Sequence, residues 1–153
     1  MVTVGEVMTR RFQAVEPATT SLTAWEFMRR SGVEHLAVVG RSGRIHGIVS
    51  RSDIAVAQSE ESVRVLRRTL GEMLFGKASP RVSPKTPIGL AAQVMFDAHC
   101  DALSVVNSSG RLVGLVTDRD VLAAVAGRQQ ARATERAVPP LRPWTVTDIE
   151  PVS

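Results

Sequence analysis

The sequence contains no tyrosine, a single cysteine (Cys100) and only 4% aromatic residues. One cysteine excludes an internal disulfide and a cysteine-rich zinc site, and such usage is typical of a reducing compartment. The longest apolar stretches, such as Val121–Ala126, are too short to cross a bilayer. The first residues lack the apolar core that a signal peptide requires. These absences predict a soluble cytoplasmic protein that has no membrane contact.

Lysine is also scarce, because Lys77 and Lys85 are the only lysines among 19 basic residues. Arginine guanidinium groups suit phosphate oxygens, so an anionic ligand is a candidate. The net charge is +4, but the arginines are scattered and few aromatic residues accompany them, so a nucleic acid is not expected as the main partner. The 153 residues, 44% of them apolar, are enough to bury a core in one domain or two small halves.

A duplication organises the chain. Shifting the sequence by 67 residues aligns Val15–Ile54 with Val82–Val121 without a gap. In each copy the hydrophobic pattern predicts a short leading strand, a helix, a strand, a hairpin, a second strand and a second helix. Each copy is too small to bury its own faces well. We therefore expect the two copies to pack together into one α/β domain.

The repeats set the predicted boundaries. The first repeat spans residues 4–58, a connecting helix spans 59–70, the second repeat spans 71–126, and a C-terminal tail spans 127–153. Three prolines in the tail argue against a continuing helix. Trp144–Ile149 is predicted to dock as an extended segment.

The sharpest motif is Gly-x-x-Ser/Thr-x-x-Asp, which occurs at Gly47–Asp53 and again at Gly114–Asp120. The predicted elements place each hydroxyl where a strand ends and each carboxylate where a helix begins. Backbone N–H groups at a helix start can bind a phosphate, and a nearby carboxylate can accept hydrogen bonds from ribose hydroxyls. An arginine inside each turn could add a phosphate contact. The candidate residues are Ser50, Arg51, Asp53, Thr117, Arg119 and Asp120.

The same motif has a second interpretation. Ser/Thr-x-x-Asp before an apolar run is also a capping box, in which the two side chains satisfy N–H groups at a helix start. Helix caps are common, so a single copy of the motif would favour the interpretation as a cap. Two copies could still be a duplicated cap, and the spacing alone leaves both interpretations open.

The repeated unit resembles the cystathionine-β-synthase (CBS) domain, and the two copies together resemble a tandem CBS pair, or Bateman module. The resemblance covers about residues 4 to 126. It is carried by Gly5–Thr9, His35–Val39, Gly43–Ser50 and Asp53 in the first copy, and by Leu103–Val106, Gly110–Thr117 and Asp120 in the second. The resemblance implies an α/β (α+β) fold of two tandem β-α-β-β-α repeats packed into one pseudo-twofold module.

The resemblance also implies a function. A stand-alone module of this family is expected to bind an adenosine-containing ligand in clefts between the repeats and to signal to a partner protein. AMP, ADP, ATP and S-adenosylmethionine are the usual candidates, as regulatory ligands and not as obligatory cofactors. The resemblance further implies a homodimer, and an effector protein is expected to read the ligand state. No glycine-rich phosphate loop, Ser/His/Asp set or paired carboxylates stand out in the sequence, so no enzymatic activity is expected. The sequence alone leaves open a ligand-independent dimeric scaffold, whose turns are only helix caps. A nucleic-acid-binding protein is a third, less favoured alternative.

The family's site residues are carried over to matching positions. Asp53 and Asp120 would hold ribose hydroxyls, and Ser50 and Thr117 would face the ribose or the phosphate. Four residues would flank the adenine, and two of them, Ala37 and Ser104, stand where the family often has proline. If one cleft alone is occupied, the sequence favours the cleft of Thr117 and Asp120. The arginine contacts are Arg51 and Arg119, and the adenine contacts are Val15, Val82, Ala37 and Ser104.

The remaining reactive residues are given structural roles. His46 and His99 have no companions at metal-ligand spacing, so no metal site is predicted. Cys100 follows His99 directly, but adjacent residues on a helix point in different directions, so we expect an inert thiol and not a nucleophile. Helical spacing does not decide whether Trp25, Phe27 and Met28 form a dimer surface or part of the core.

Overall fold

The computed structural model describes residues 1–58, 67–127 and 143–144. The helices in these ranges are α1 Val4–Val7, α2 Ser21–Ser31, α3 Arg51–Gln58, α4 Leu70–Leu74, α5 Ile88–Ala98 and α6 Asp118–Val125. The strands are β1 Gln13–Val15, β2 His35–Val39, β3 Ile45–Ser50, β4 Arg81–Val82, β5 Ala102–Val106, β6 Leu112–Thr117 and β7 Pro143–Trp144. This mixed architecture confirms the predicted α/β class.

The described residues divide into two compact units. The first-repeat unit comprises residues 13–58, 67–77 and 143–144, and the second-repeat unit comprises residues 1–12 and 78–127. This grouping differs from the chain-order boundaries that the sequence predicts, because residues 1–12 join the unit of the second repeat. Most of the predicted connecting helix, residues 59–66, lies outside the described residues.

The two sheets repeat one pairing scheme. Their strand orders are β3-β2-β1-β7 and β4-β5-β6. The leading strand of each repeat runs parallel to the next strand, β1 with β2 and β4 with β5, and the hairpins β2–β3 and β5–β6 are antiparallel. Gly43 and Gly110 turn the hairpins with φ angles of 79° and 78°, in the left-handed region that favours glycine. The ends of β3 and β6 are thereby placed at equivalent points of the two units.

The C-terminal tail is described at two residues. Pro143 and Trp144 pair in parallel with Ala14 and Val15 of β1. The predicted extended docking is therefore confirmed for Trp144, whereas residues 145–149 lie outside the described residues.

Each unit has its own apolar core, formed where the helices cover one face of its sheet. The core of the first-repeat unit includes Phe27 and Met28, with 8% and 0% of their surface exposed, and half-buried Trp25 packs against it. These residues are therefore part of the core. The second core is built from Val4, Val7, Met8, Val82, Ala91, Met95, Leu103, Val105 and Val116.

Two short helices precede the repeats and dock in the same way. We call α1 and α4, with the residues that follow them, the two leaders. In the second-repeat unit Gly5 N–H donates to the Pro84 carbonyl at 2.8 Å, and in the first-repeat unit Gly71 N–H donates to the Pro17 carbonyl at 3.0 Å. A Cβ atom on Gly5 would lie 3.0 Å from the Pro84 oxygen, so glycine permits this approach. Each leader thus packs beside the first turn of its unit's first long helix.

The leader of α1 is stabilised by its own first turn. Thr3 N–H donates to the Glu6 carboxylate at 2.7 Å, and the Thr3 hydroxyl donates at 3.1 Å. These backbone and side-chain hydrogen bonds lower the pKa of the Glu6 carboxyl. The carboxylate therefore remains charged at neutral pH and supports the docked turn.

The first long helices of the two units end differently. Gly32 ends α2 in the left-handed conformation with φ 73°, as is common at helix C-termini. The equivalent residue after α5 is His99, with φ 52°. Among the described residues, His99 is the only non-glycine residue with positive φ, and its Cβ makes this conformation costly.

Candidate functional site

The first candidate turn joins β3 to α3. Asp53 N–H donates to the Ser50 hydroxyl oxygen at 3.0 Å, and Ser50 N–H donates to Asp53 Oδ2 at 2.9 Å. Ser50 is buried whereas Asp53 is exposed. Within the described part of the chain Asp53 Oδ1 accepts no hydrogen bond, so one oxygen of this carboxylate is available to a ligand.

The second candidate turn joins β6 to α6 and repeats this geometry. Asp120 N–H donates to the Thr117 hydroxyl oxygen at 3.3 Å, and Thr117 N–H donates to Asp120 Oδ2 at 2.9 Å. Asp120 is only 3% exposed, in contrast to Asp53. The two motifs therefore form the same local structure in different surroundings.

Both turns are capping boxes. In each, the hydroxyl and the carboxylate satisfy backbone N–H groups that a helix start leaves without an intrahelical partner. The capping bonds do not use every hydrogen-bonding group of the two side chains. A hydroxyl that accepts a hydrogen bond keeps its own hydrogen to donate, and a carboxylate has a second oxygen. The helix cap and a ligand contact are therefore compatible at one turn.

The two candidate arginines lie in different environments. The Arg51 guanidinium is 3.5 Å from the Glu34 carboxylate and 5.9 Å from the centre of the Trp25 ring. Exposed ion pairs of this kind contribute little stability, so a phosphate could compete for Arg51. Arg119 is exposed, and its side chain makes no ion pair with the described residues. Both arginines are within one turn of their helix start.

The four residues predicted to flank an adenine are buried. Val15 and Val82, 0% and 7% exposed, belong to the cores of their units. Ala37 and Ser104 are fully buried on the central strands β2 and β5, at alternating positions that face away from those cores. The Ser104 hydroxyl has no hydrogen-bond partner among the described residues. Contact of these four residues with a ligand stays a prediction, and the packing of the two valines gives it no support.

Sequence reasoning missed Thr9. This residue follows α1 in the leader of the second-repeat unit, and its hydroxyl donates to Asp120 Oδ2 at 3.5 Å. The two residues are 111 positions apart, so no local motif joins them. The available signal is a second repeat, because Thr3-Val4-Gly5-Glu6 is echoed by Thr69-Leu70-Gly71-Glu72. That echo marks both leaders as parts of the duplicated unit.

The other reactive residues form no alternative site in the described part of the chain. No group of three or more His, Cys, Asp or Glu side chains there could hold a metal ion. Cys100 is half-buried, and burial raises the pKa of its thiol. At neutral pH this favours the protonated, less nucleophilic form. In the ranges that the structure describes, no helix combines the length and apolar character needed to span a bilayer.

Comparison with protein families identifies the fold. The CBS domain family model matches residues 4–60 and 77–127, which together exceed half of the chain. The chain therefore belongs to the CBS domain family, and the two matches are its tandem repeats. This confirms the resemblance that the sequence motifs indicate.

The chain is similar to parts of larger proteins. It is 31% identical over 128 residues to homoserine O-acetyltransferase from Methanohalophilus mahii, covering 82% of this chain and 25% of the enzyme. It is 32% identical over 136 residues to the magnesium transporter MgtE from Thermus thermophilus, covering 86% of this chain and 28% of the transporter. The chain thus spans about a quarter of the length of these relatives, and the shared portion is their CBS region.

Solved structures of CBS pairs have the same fold. The CBS domain pair of MJ0100, in complex with methylthioadenosine and S-adenosylmethionine, has a TM-score of 0.71 at 20% identity, covering 83% of this chain and 98% of that one. CBSX2 in complex with AMP has a TM-score of 0.69 at 26% identity, with the same coverage. The cytosolic domain of MgtE in complex with ATP has a TM-score of 0.64 at 31% identity, covering 80% of this chain and 48% of that one.

Proposed function

We propose that this protein is a regulatory module that binds an adenosine-containing ligand, namely AMP, ADP, ATP or S-adenosylmethionine, and signals to a partner protein. The observation that carries the proposal is the duplicated turn, in which a hydroxyl and a carboxylate meet at a helix start in both units. The likeness to CBSX2 with AMP and to MgtE with ATP supports the choice of ligand.

The carboxylates would hold the ribose. A ribose has two adjacent hydroxyl donors, and an ionised carboxylate is an acceptor that makes strong, charge-assisted hydrogen bonds with them. At the first turn this requires no loss of the cap, because Asp53 Oδ2 holds Ser50 N–H while Oδ1 accepts from the ligand. The Ser50 and Thr117 hydroxyls would donate their remaining hydrogen to a ribose or phosphate oxygen.

The arginines and the helix starts would hold the phosphates. Both α3 and α6 present N–H groups and the positive end of a helix dipole at the turn. Arg51 would exchange its exposed pairing with Glu34 for a phosphate oxygen, whereas Arg119 has no such pairing to exchange with the described residues. This predicts that phosphate-bearing ligands bind more weakly as the salt concentration rises.

Signalling requires that the ligand binds one state of the protein more tightly than another. We propose that a second copy of the chain and an effector protein complete the module, and that it has no catalytic activity of its own. The single cysteine fits a reducing cytoplasm, where adenine nucleotides are also present.

A ligand-independent scaffold is the second candidate function. It is favoured by the fact that both Ser/Thr-x-x-Asp turns form complete capping boxes without any ligand. Apolar side chains on the helices of the second-repeat unit, Phe96, Leu122 and Val125, are 67–80% exposed and could serve protein contacts. In this case the substitution of either aspartate would change stability alone.

A thermal-shift series separates the two functions. Purified, ligand-stripped protein would be melted with AMP, ADP, ATP and S-adenosylmethionine, with GMP as the base control. A ligand at 100 times its dissociation constant stabilises the folded state by about 2.7 kcal/mol, which raises the melting temperature by roughly 5–10 °C for a protein of this size. A saturable shift with an adenosine compound supports the sensor. Folded protein that shows no shift with any of them supports the scaffold.

A further inference from the structure

Both units keep exposed apolar side chains on their helices. In each unit the two long helices pack side by side, α2 with α3 and α5 with α6. A concentration of exposed apolar side chains on one layer is typical of a protein interface. These side chains are Leu22 and Val56 in the first-repeat unit, 42% and 69% exposed, and Leu90, Phe96, Leu122 and Val125 in the second-repeat unit, 49–80% exposed.

The helix layers of the two units have equivalent corners. At the start of α3, Arg51 N–H donates to the Glu34 carbonyl at 2.9 Å, and at the start of α6, Asp118 N–H donates to the Asp101 carbonyl at 2.9 Å. Each bond joins the last helix of the unit to the residues that follow its first long helix. The charged residues of the first corner are Glu26, Arg29, Arg30, Glu34 and Arg51, and those of the second corner are Asp97, Asp101, Asp118 and Arg119.

The two corners have opposite net charges. The first has three arginines against two glutamates, and the second has three aspartates against one arginine. The duplication aligns Arg30 with Asp97, which are both exposed. It also aligns Arg51 with Asp118. The sign of the charge is therefore inverted at two equivalent positions of the two helix layers.

The glutamates of the first corner leave its arginines available to a partner. Arg29 pairs with Glu26 at 2.9 Å, and Arg51 is 3.5 Å from Glu34. Both pairs lie at the surface, where an ion pair contributes little free energy and is easily exchanged. The Asp53 carboxylate, further along α3, is directed to the capping box by its bond with Ser50 N–H.

We propose that a second copy of this chain covers these helices, and that it packs the helix layer of its second-repeat unit on the helix layer of the first-repeat unit. The second corner of one copy then lies against the first corner of the other, so opposite charges meet beside the exposed apolar side chains. Contact between like units would instead bring three aspartates against three aspartates, which is repulsive.

The proposed contact is compatible with a closed assembly. Each copy has one unit of each kind, so a twofold axis would repeat the contact and limit the assembly to a dimer. The inference deepens the proposed function, on which it rests for the second copy alone. It assigns which surfaces of the two copies meet.

Charge exchange at Arg30 and Asp97 tests the inference, because both residues lie outside the proposed ligand site. Sedimentation equilibrium of the full chain, without ligand, measures the dissociation constant of the dimer. Arg30→Asp and Asp97→Arg should each raise this constant about 3- to 30-fold, since each replaces attraction by repulsion in both contacts. The double variant, in which the two charges are exchanged, should return to within about threefold of the wild type.

Two controls separate this pairing from a general effect of charge. Arg44→Asp changes the net charge as Arg30→Asp does, but Arg44 is exposed beside the hairpin turn, so the dissociation constant should stay within about twofold of the wild type. Raising the NaCl concentration from about 50 to about 500 mM should weaken the wild-type dimer and strengthen the dimers of the two single variants, because salt screens attraction and repulsion alike.

The outcomes distinguish the inference from the proposed function. Contact between like units predicts no rise in the dissociation constant of either single variant, and that result, or a double variant that stays weak, overturns the pairing of unlike units. A wild type that stays monomeric at about 100 times micromolar concentration, where a standard weak dimer forms, overturns the second copy and leaves these helices to the effector protein. Calorimetry with AMP, ATP and S-adenosylmethionine on the same samples tests the ligand-binding function separately.

Discussion

Because Asp120 is buried, the loss of its carboxylate from the capping box should lower the free energy of unfolding by a measurable amount. Asp120→Ala removes the acceptor of Thr117 N–H at 2.9 Å and of the Thr9 hydroxyl at 3.5 Å, in surroundings that leave the carboxylate 3% exposed. Loss of a cap costs about 0.5–2 kcal/mol, and a buried donor left without a partner costs about 1–3 kcal/mol. We therefore expect Asp120→Ala to lower the free energy of unfolding by about 2 kcal/mol.

Asp53→Ala is the matched comparison. It removes the same cap bond from an exposed carboxylate, where water can replace the lost acceptor, so about 1 kcal/mol is expected. Urea denaturation followed by circular dichroism, with no ligand present, measures both values. The melting temperatures should fall by roughly 4–8 °C for Asp120→Ala and 2–4 °C for Asp53→Ala. A loss in Asp120→Ala no greater than that in Asp53→Ala would refute the stabilising role of the buried carboxylate and its leader contact.

Three further predictions concern single residues. His99→Gly should raise the free energy of unfolding by about 0.5–1 kcal/mol, measured in urea, because glycine adopts the left-handed φ of 52° without a Cβ clash. An unchanged or lower free energy of unfolding would contradict backbone strain at His99. Gly114→Ala should destabilise by about 1–3 kcal/mol, seen as a lower melting temperature, because its Cβ would meet Met8 and Thr9; a neutral result contradicts the close approach. The alkylation rate of Cys100 should have its midpoint at higher pH in folded than in denatured protein, because burial raises the pKa of the thiol. Any stability linked to this thiol is present at neutral pH and is lost as the pH rises through the raised pKa. Equal midpoints in folded and denatured protein would contradict the shift.

Much of the fold follows from local patterns in the sequence. The apolar stripes predict α2 and α5, the valine-rich runs predict β2 and β5, and Ser-Gly pairs predict the two hairpins, all of which the structure contains. The spacing of Ser50 and Asp53 also predicts the capping bonds that the structure shows. These features depend on contacts within a few residues, and a sequence pattern reports such contacts directly.

The docking of the leaders could not be predicted in the same way. Gly5 contacts Pro84 and Thr9 contacts Asp120 across most of the chain, and no local pattern records such a long-range contact. The difference between the exposed Asp53 and the buried Asp120 is likewise set by tertiary packing, because the two motifs are equivalent in sequence. The sequence therefore identifies the two candidate turns but not which of their carboxylates is exposed.

The most direct test of the account is whether the aspartates recognise a ribose. Calorimetry would compare AMP and ATP with their dideoxyribose analogues, which lack both ribose hydroxyls, on the wild type and on the Asp53→Asn, Asp120→Asn double variant. Hydrogen bonds to a charged group contribute about 1.5–3 kcal/mol, so the wild type should prefer the ribose form by roughly 10- to 150-fold, and the double variant should lose most of this preference. Equal binding of the two forms by the wild type, or an undiminished preference in a folded double variant, would contradict the assignment of the carboxylates as the ribose-binding groups.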